Sequence, residues 1–91
     1  MSNVNITKKG DISSISFTSE TLESMQGIVI LDFSVKVGDK VSEGQKLLVT
    51  ESMKGTMELE SPINGTIMEI NLDAVEDTES ITKDTWLVKI K

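Results

Sequence analysis

Cysteine and histidine are both missing from the 91 residues of this chain. Without cysteine there is no disulfide framework, no thiol nucleophile and no Cys/His zinc site. Without histidine the side chain that most readily moves protons near neutral pH is gone. An enzyme would have to work with little more than carboxylates and lysines, so a non-catalytic protein is the expectation. Arginine is absent as well, and nine lysines face fifteen aspartates and glutamates, for a formal charge of −6. A nucleic-acid binder needs clustered cations to displace counterions, so that class is set aside. Long apolar runs are lacking too. No stretch is long enough to span a membrane, and the opening MSNVNITKKG lacks the apolar core of a signal peptide. The expectation is a single soluble domain in the cytosol, small enough that its core is modest.

What is present is strand-like. Residues 1–11 read as a polar N-terminal arm, and residues 12–91 as one domain. Ile12, Ile15 and Phe17 have strand-compatible spacing, and TSETLESMQG then reads as a short helix. Thr18 or Ser19 would cap it, Glu20 suits its first turn, Gly27 lies just past its end, and Leu22 and Met25 share its buried side. GIVILDF is rich in β-branched residues, as a half-buried strand should be. Gly38-Asp39 and Glu43-Gly44 mark turns, with Val35, Val37, Val41, Leu47 and Val49 offered to the core. Thr56 to Glu60 alternates strictly, SPING breaks the pattern, TIMEINL reads as a strand, and Asp77 to Lys83 as a short helix or turn. Gly27–Asp32 is faintly repeated at Gly65–Ile70, and Lys46–Thr50 at Thr85–Lys89. Two copies of one strand–turn–strand unit predict a mostly β fold: a flattened barrel or sandwich hybrid of two small sheets with pseudo-twofold symmetry, plus one or two short helices.

Between the runs LLVTE and TMELE stands a turn, Ser52-Met53-Lys54-Gly55, with Glu51 ahead of it. A lysine at a turn is most simply a solvated side chain. At the tip of so regular a hairpin it is also well placed as a covalent attachment point, since rigid strands would hold it outward for a modifying enzyme. Gly55 would supply a positive φ and leave the approach clear. Glu51 is either a surface carboxylate at a strand end or a recognition residue, and Met53 either packs at the turn or is read by a partner. Glu51, Glu58 and Glu60 surround the hairpin with negative charge that would suit a basic partner surface. Trp86 reads as a core or cover residue. Glu76, Asp77 and Glu79 read as a solvated helix start rather than a cation site.

GIV, VGDKVSEGQKLLVTE, ESMKG, SPINGTI and the closing WLVKIK together resemble the biotinyl/lipoyl carrier family over about Ile12 to Lys91. Within that family the chain most resembles glycine cleavage H proteins, through ES before the modified position, SPINGTIMEIN after it and the Trp86-to-Ile90 ending. The resemblance implies a carrier lipoylated at Lys54, with Glu51, Ser52, Met53 and Gly55 forming the hairpin that the attaching enzyme recognises. Lipoate would carry aminomethyl or other cargo. The implied partners are a lipoate ligase or lipoyl transferase, and the glycine decarboxylase, aminomethyltransferase and dihydrolipoyl dehydrogenase of glycine cleavage. Met53 is what biotin carriers place before their lysine, so a biotin carboxyl carrier is the alternative; Gly55 stands where those carriers favour Met. An unmodified interaction module is the third reading.

Overall fold

Alternation of buried and solvated side chains sorts the chain into eight strands and two short helices in a computed structural model that describes residues 4–91. In chain order these are β1 (Val4–Lys9), β2 (Ile12–Phe17), α1 (Ser19–Met25), β3 (Ile28–Phe33) and β4 (Lys40–Val41). There follow β5 (Lys46–Ser52), β6 (Gly55–Glu60), β7 (Gly65–Ile70), α2 (Leu72–Glu76), a single 3-10 turn at Thr78–Ser80 and β8 (Val88–Ile90). One sheet has the order β1-β2-β8-β7-β4 and the other β3-β5-β6, and neighbouring strands are antiparallel throughout. The two sheets do not join into a closed barrel.

The repeat seen in the sequence has a structural counterpart. β3 pairs with β5 in one sheet, and β7 pairs with β8 in the other. β4 lies between β3 and β5 in the chain yet pairs with β7, Lys40 opposite Thr66 and Val41 opposite Gly65. That crossing ties the two sheets into one core of fully buried side chains, among them Ile15, Phe17, Leu47, Leu48, Leu59, Ile67, Leu87 and Ile90. Each such Leu or Ile is worth about 1.5–3 kcal/mol of burial. Among the described residues no buried side-chain nitrogen or oxygen lacks a hydrogen-bond partner.

Several expectations are corrected. The polar arm is a strand over Val4–Lys9, paired residue for residue with β2 across the two-residue Gly10-Asp11 turn; positions 1–3 lie outside the described residues. Its polarity reflects its place at a sheet edge, where lysines guard an open row of backbone groups. Val37 is 62% exposed and Val49 only half-buried, while Leu47 and Leu48 are both fully buried. A register shift between Lys46 and Leu48 turns two consecutive leucines inward, which simple alternation cannot do. The expected short helix or turn at 77–83 is present as the 3-10 turn at Thr78–Ser80. β7 stops at Ile70, and a further helix, α2, follows where a strand was expected to run on, because Asn71 caps it, accepting from the Ala74 N–H at 3.3 Å. Asn71 Nδ2 also donates to the Trp86 carbonyl at 2.7 Å, binding this helix to the chain entering β8. For α1, the Thr18 cap and buried Met25 are as expected; Thr21 is buried beside Met25, and Leu22 packs at the margin.

Gly65 sits where β7 meets the C-terminal strand so closely that a side chain does not fit. A Cβ placed there would lie 2.5 Å from Ile90 Cγ2 and 2.7 Å from the Lys91 carbonyl oxygen. Gly65→Ala is therefore expected to lose about 1–3 kcal/mol of stability. A urea titration will show this as a lower midpoint with an unchanged slope.

Candidate functional site

β5 and β6 form a hairpin whose register runs from Leu48 opposite Leu59, through Thr50 opposite Met57, to Ser52 opposite Gly55. Only Met53 and Lys54 remain outside the ladder. Neither takes a positive φ; Gly55 does, at 125°, so the glycine absorbs the reversal that a Met-Lys pair cannot. The tip is closed by side chain as well as backbone. Ser52 Oγ donates to the Gly55 carbonyl at 2.9 Å and accepts from the Lys54 N–H at 3.3 Å.

The tip is also braced from outside. The Met53 N–H donates to the Gly27 carbonyl at 3.1 Å, and Ile28 pairs with Ser52. One step down the hairpin, buried Thr50 donates its hydroxyl to the Met57 carbonyl at 3.3 Å and lies 3.5 Å from Met25 Sδ. The α1–β3 corner thus acts as a shelf beneath the turn. Gly27 was legible in the sequence only as a helix stop, because its partner lies far along the chain.

Lys54, Gly55 and Met53 are exposed, Met53 at 73%. Lys54 takes part in none of the ion pairs among the described residues. Glu51 and Ser52 are adjacent in sequence but face opposite ways along the strand, Ser52 half-buried and Glu51 solvated. Glu51 shares the outer face of the three-stranded sheet with its cross-strand neighbours Ile30 and Thr56, and the next rank is Asp32, Val49 and Glu58. Glu51, Glu58 and Glu60 are therefore arrayed down one sheet face leading to the tip rather than in a ring around it. With Asp32 they form no ion pair among the described residues.

The remaining candidates lie elsewhere. Trp86 is half-buried, with Lys89 Nζ 4.6 Å from the ring centroid and Lys89 in turn 3.4 Å from Glu69. It covers the outer side of the five-stranded sheet beside a cavity of about 480 Å³, whose walls include Asn5, Ser14 and Ser16 and none of the hairpin residues. Glu76 ends α2, while Asp77, its C-cap, is also the N-cap of the 3-10 turn at Thr78–Ser80 and Glu79 lies in that turn, so these last two solvated carboxylates stand at a helix start. No helix among the described residues is long and apolar enough to cross a membrane.

A family model described as biotin-requiring enzyme, Biotin_lipoyl, matches residues 19–90. The chain belongs to this family. Within Biotin_lipoyl it stands beside H proteins of the glycine cleavage system. A probable glycine cleavage system H protein of Thermoplasma acidophilum is 40% identical over 86 residues, covering 91% of this chain and 68% of the relative. The glycine cleavage system H protein of Acaryochloris marina is 31% identical over 87 residues, with 91% and 67% covered. In three dimensions the chain is similar to the crystal structure of a glycine cleavage system H protein from Mycobacterium marinum. The TM-score is 0.81 at 28% identity, over 92% of this chain and 68% of that one. The chain thus spans about two thirds of the length of these Biotin_lipoyl relatives.

Ser52→Ala removes both side-chain bonds at the tip while leaving the ladder intact. Its cost to global stability is expected to stay near or below about 1 kcal/mol, since the site is solvated. Amide exchange at Lys54 and Gly55 should nevertheless rise clearly, and exchange at Leu48 and Leu59 should not.

Proposed function

We propose that this protein is a lipoyl carrier of the glycine cleavage H type, with lipoate joined through an amide to Lys54. The observation that carries this reading is the placement of an exposed, unpaired lysine on a two-residue tip braced on both sides, in a chain of the Biotin_lipoyl family. The residues fit the group. A Cβ built on Gly55 would meet nothing within 4 Å, so the flank of Lys54 is open to an attaching enzyme. The kinship with glycine cleavage H proteins favours lipoate over biotin. Met53 remains the one residue with a biotin-carrier character.

When attached, lipoate supplies the redox and group-carrying chemistry through its dithiolane. The chain's own residues position and present. Ser52 and Gly55 fix the turn, and Lys54 projects beyond it, so that its nitrogen travels on a long flexible side chain from a fixed base. The carboxylates Asp32, Glu51 and Glu58 give the neighbouring face a negative field that steers a cationic partner surface, at rates that fall with added salt. A lipoate ligase or lipoyl transferase would read this face with Glu51, and the enzymes of glycine cleavage would meet the carrier in turn. Such a protein performs no bond chemistry itself and works in the cytosol.

The expected outcome is direct to measure. Protein exposed to lipoate, biotin and both attaching enzymes gains one lipoyl increment in intact mass, and Lys54→Arg gains none while keeping its fold. A biotinyl increment at Lys54 would replace the lipoyl reading with the biotin one. No adduct on the wild-type chain would leave an unmodified module.

A further inference from the structure

Two consecutive residues at the end of α1 lie in the left-handed region, Gln26 at φ 52° and Gly27 at φ 106°. Gln26 is the one non-glycine residue with a positive φ among the described residues. Such a conformation persists in a side-chain-bearing residue only where the surroundings hold it, and it often marks a place where a backbone group must be aimed. Here the pair swings the chain from α1 into β3. The Gly27 carbonyl is left as the acceptor for the Met53 N–H, at 3.1 Å. Contact accompanies the bond, since a Cβ built on Gly27 would lie 3.7 Å from Met53 Cγ.

The hairpin does not need this bond in order to close. Ser52 already ties Lys54 and Gly55 together. Met53 is solvated, so its amide would simply be hydrated if the bond were lost, and the fold would lose little. What the bond changes is direction. It stops the residue before Lys54 from rocking about the end of the ladder and so fixes the axis along which the lysine leaves the tip. An enzyme that delivers an activated carboxyl group to one amine gains much of its rate from such orientation.

We propose that the Gln26-Gly27 corner is a positioning element for cofactor attachment, aiming Lys54 by holding Met53 through the Gly27 carbonyl. The proposal rests on the reading of Lys54 as the attachment lysine. In attachment, the Lys54 nitrogen forms an amide bond to the carbonyl carbon of an activated acyl group carried by the ligase. The activating group leaves with the electron pair of its bond to that carbon, and the amine gives up one proton. The corner touches none of these atoms and acts only through the backbone of Met53.

The test compares Met53→Pro with Met53→Ala. Both remove the methionine side chain, but only proline removes the N–H that donates to Gly27. Met53 has no positive φ and follows an extended residue, two conditions that a proline in its place requires. Attachment by a lipoate ligase is followed by intact mass at several carrier concentrations, with urea midpoints measured in parallel. A small acylating reagent reports the intrinsic reactivity of Lys54. The expected result is a kcat lower by on the order of tenfold for Met53→Pro than for Met53→Ala. KM, urea midpoint and reagent reactivity should be closely matched between the two. Gly27→Ala, which forces a side chain into the left-handed corner, should lower kcat in the same sense. Equal kcat for the proline and alanine variants overturns the proposal while leaving the attachment reading intact. Should the proline variant fail to fold, Gly27→Ala decides, and a wild-type kcat for it overturns the proposal. A wild-type chain that takes up no cofactor overturns the attachment reading and this inference with it.

Discussion

β5 is hydrogen-bonded along both of its edges, to β3 on one side and β6 on the other, and Leu47, Leu48 and Thr50 along it are fully buried. A strand held in this way cannot twist or slide without breaking two ladders and opening the core. The turn that bears Lys54 is the direct continuation of that strand, so its rigidity is inherited rather than built locally. A lysine on an ordinary surface loop would be just as exposed, but its base would wander. Here the base is fixed and only the side chain is free, the division of labour a carrier needs: one element that stays still and one that travels.

The same constraint explains why the tip can be so sparse. Two residues stand outside the ladder, and three hydrogen bonds (two through Ser52, one to Gly27) hold them. Lys54 is solvated, and glycine follows it. The polar cost is borne where water is available, since the tip is solvated, while Thr50, buried beneath it, has its hydroxyl satisfied by Met57. The carboxylates of the adjoining sheet face lie outward and form no ion pair among the described residues. They add nothing to the fold through ion pairing, and their value lies in what approaches from outside.

Much of this was legible in the sequence because it is written in local pattern. The hairpin around Lys54, the glycine after it, the Thr18 cap and the β character of the chain follow from alternation, turn chemistry and capping. The faint repeat even anticipates that β3 with β5, and β7 with β8, are equivalent pairs. What escaped was set by partners distant along the chain. Val4–Lys9 looks like a polar arm until its pairing with β2 is seen, although Gly10-Asp11 is the kind of two-residue pair that joins strands. Leu48 was left out of the expected core because a one-residue bulge turns it inward beside Leu47, and Val37 was placed in the core although it lies in a turn rather than a strand. Gly27 could be read as the end of a helix but not as the support of a turn in another strand.

Trp86 is the only tryptophan, and tyrosine is absent, so nearly all of the intrinsic fluorescence comes from one indole. That ring lies under Lys89, on the outer side of the five-stranded sheet, with its backbone carbonyl held by Asn71. The Lys54 turn belongs to the other sheet. The protein therefore carries a built-in optical reporter of its scaffold that is blind to its working end. Loosening of the lysine turn would leave the emission unchanged, whereas parting of β8 from β2 would be seen at once.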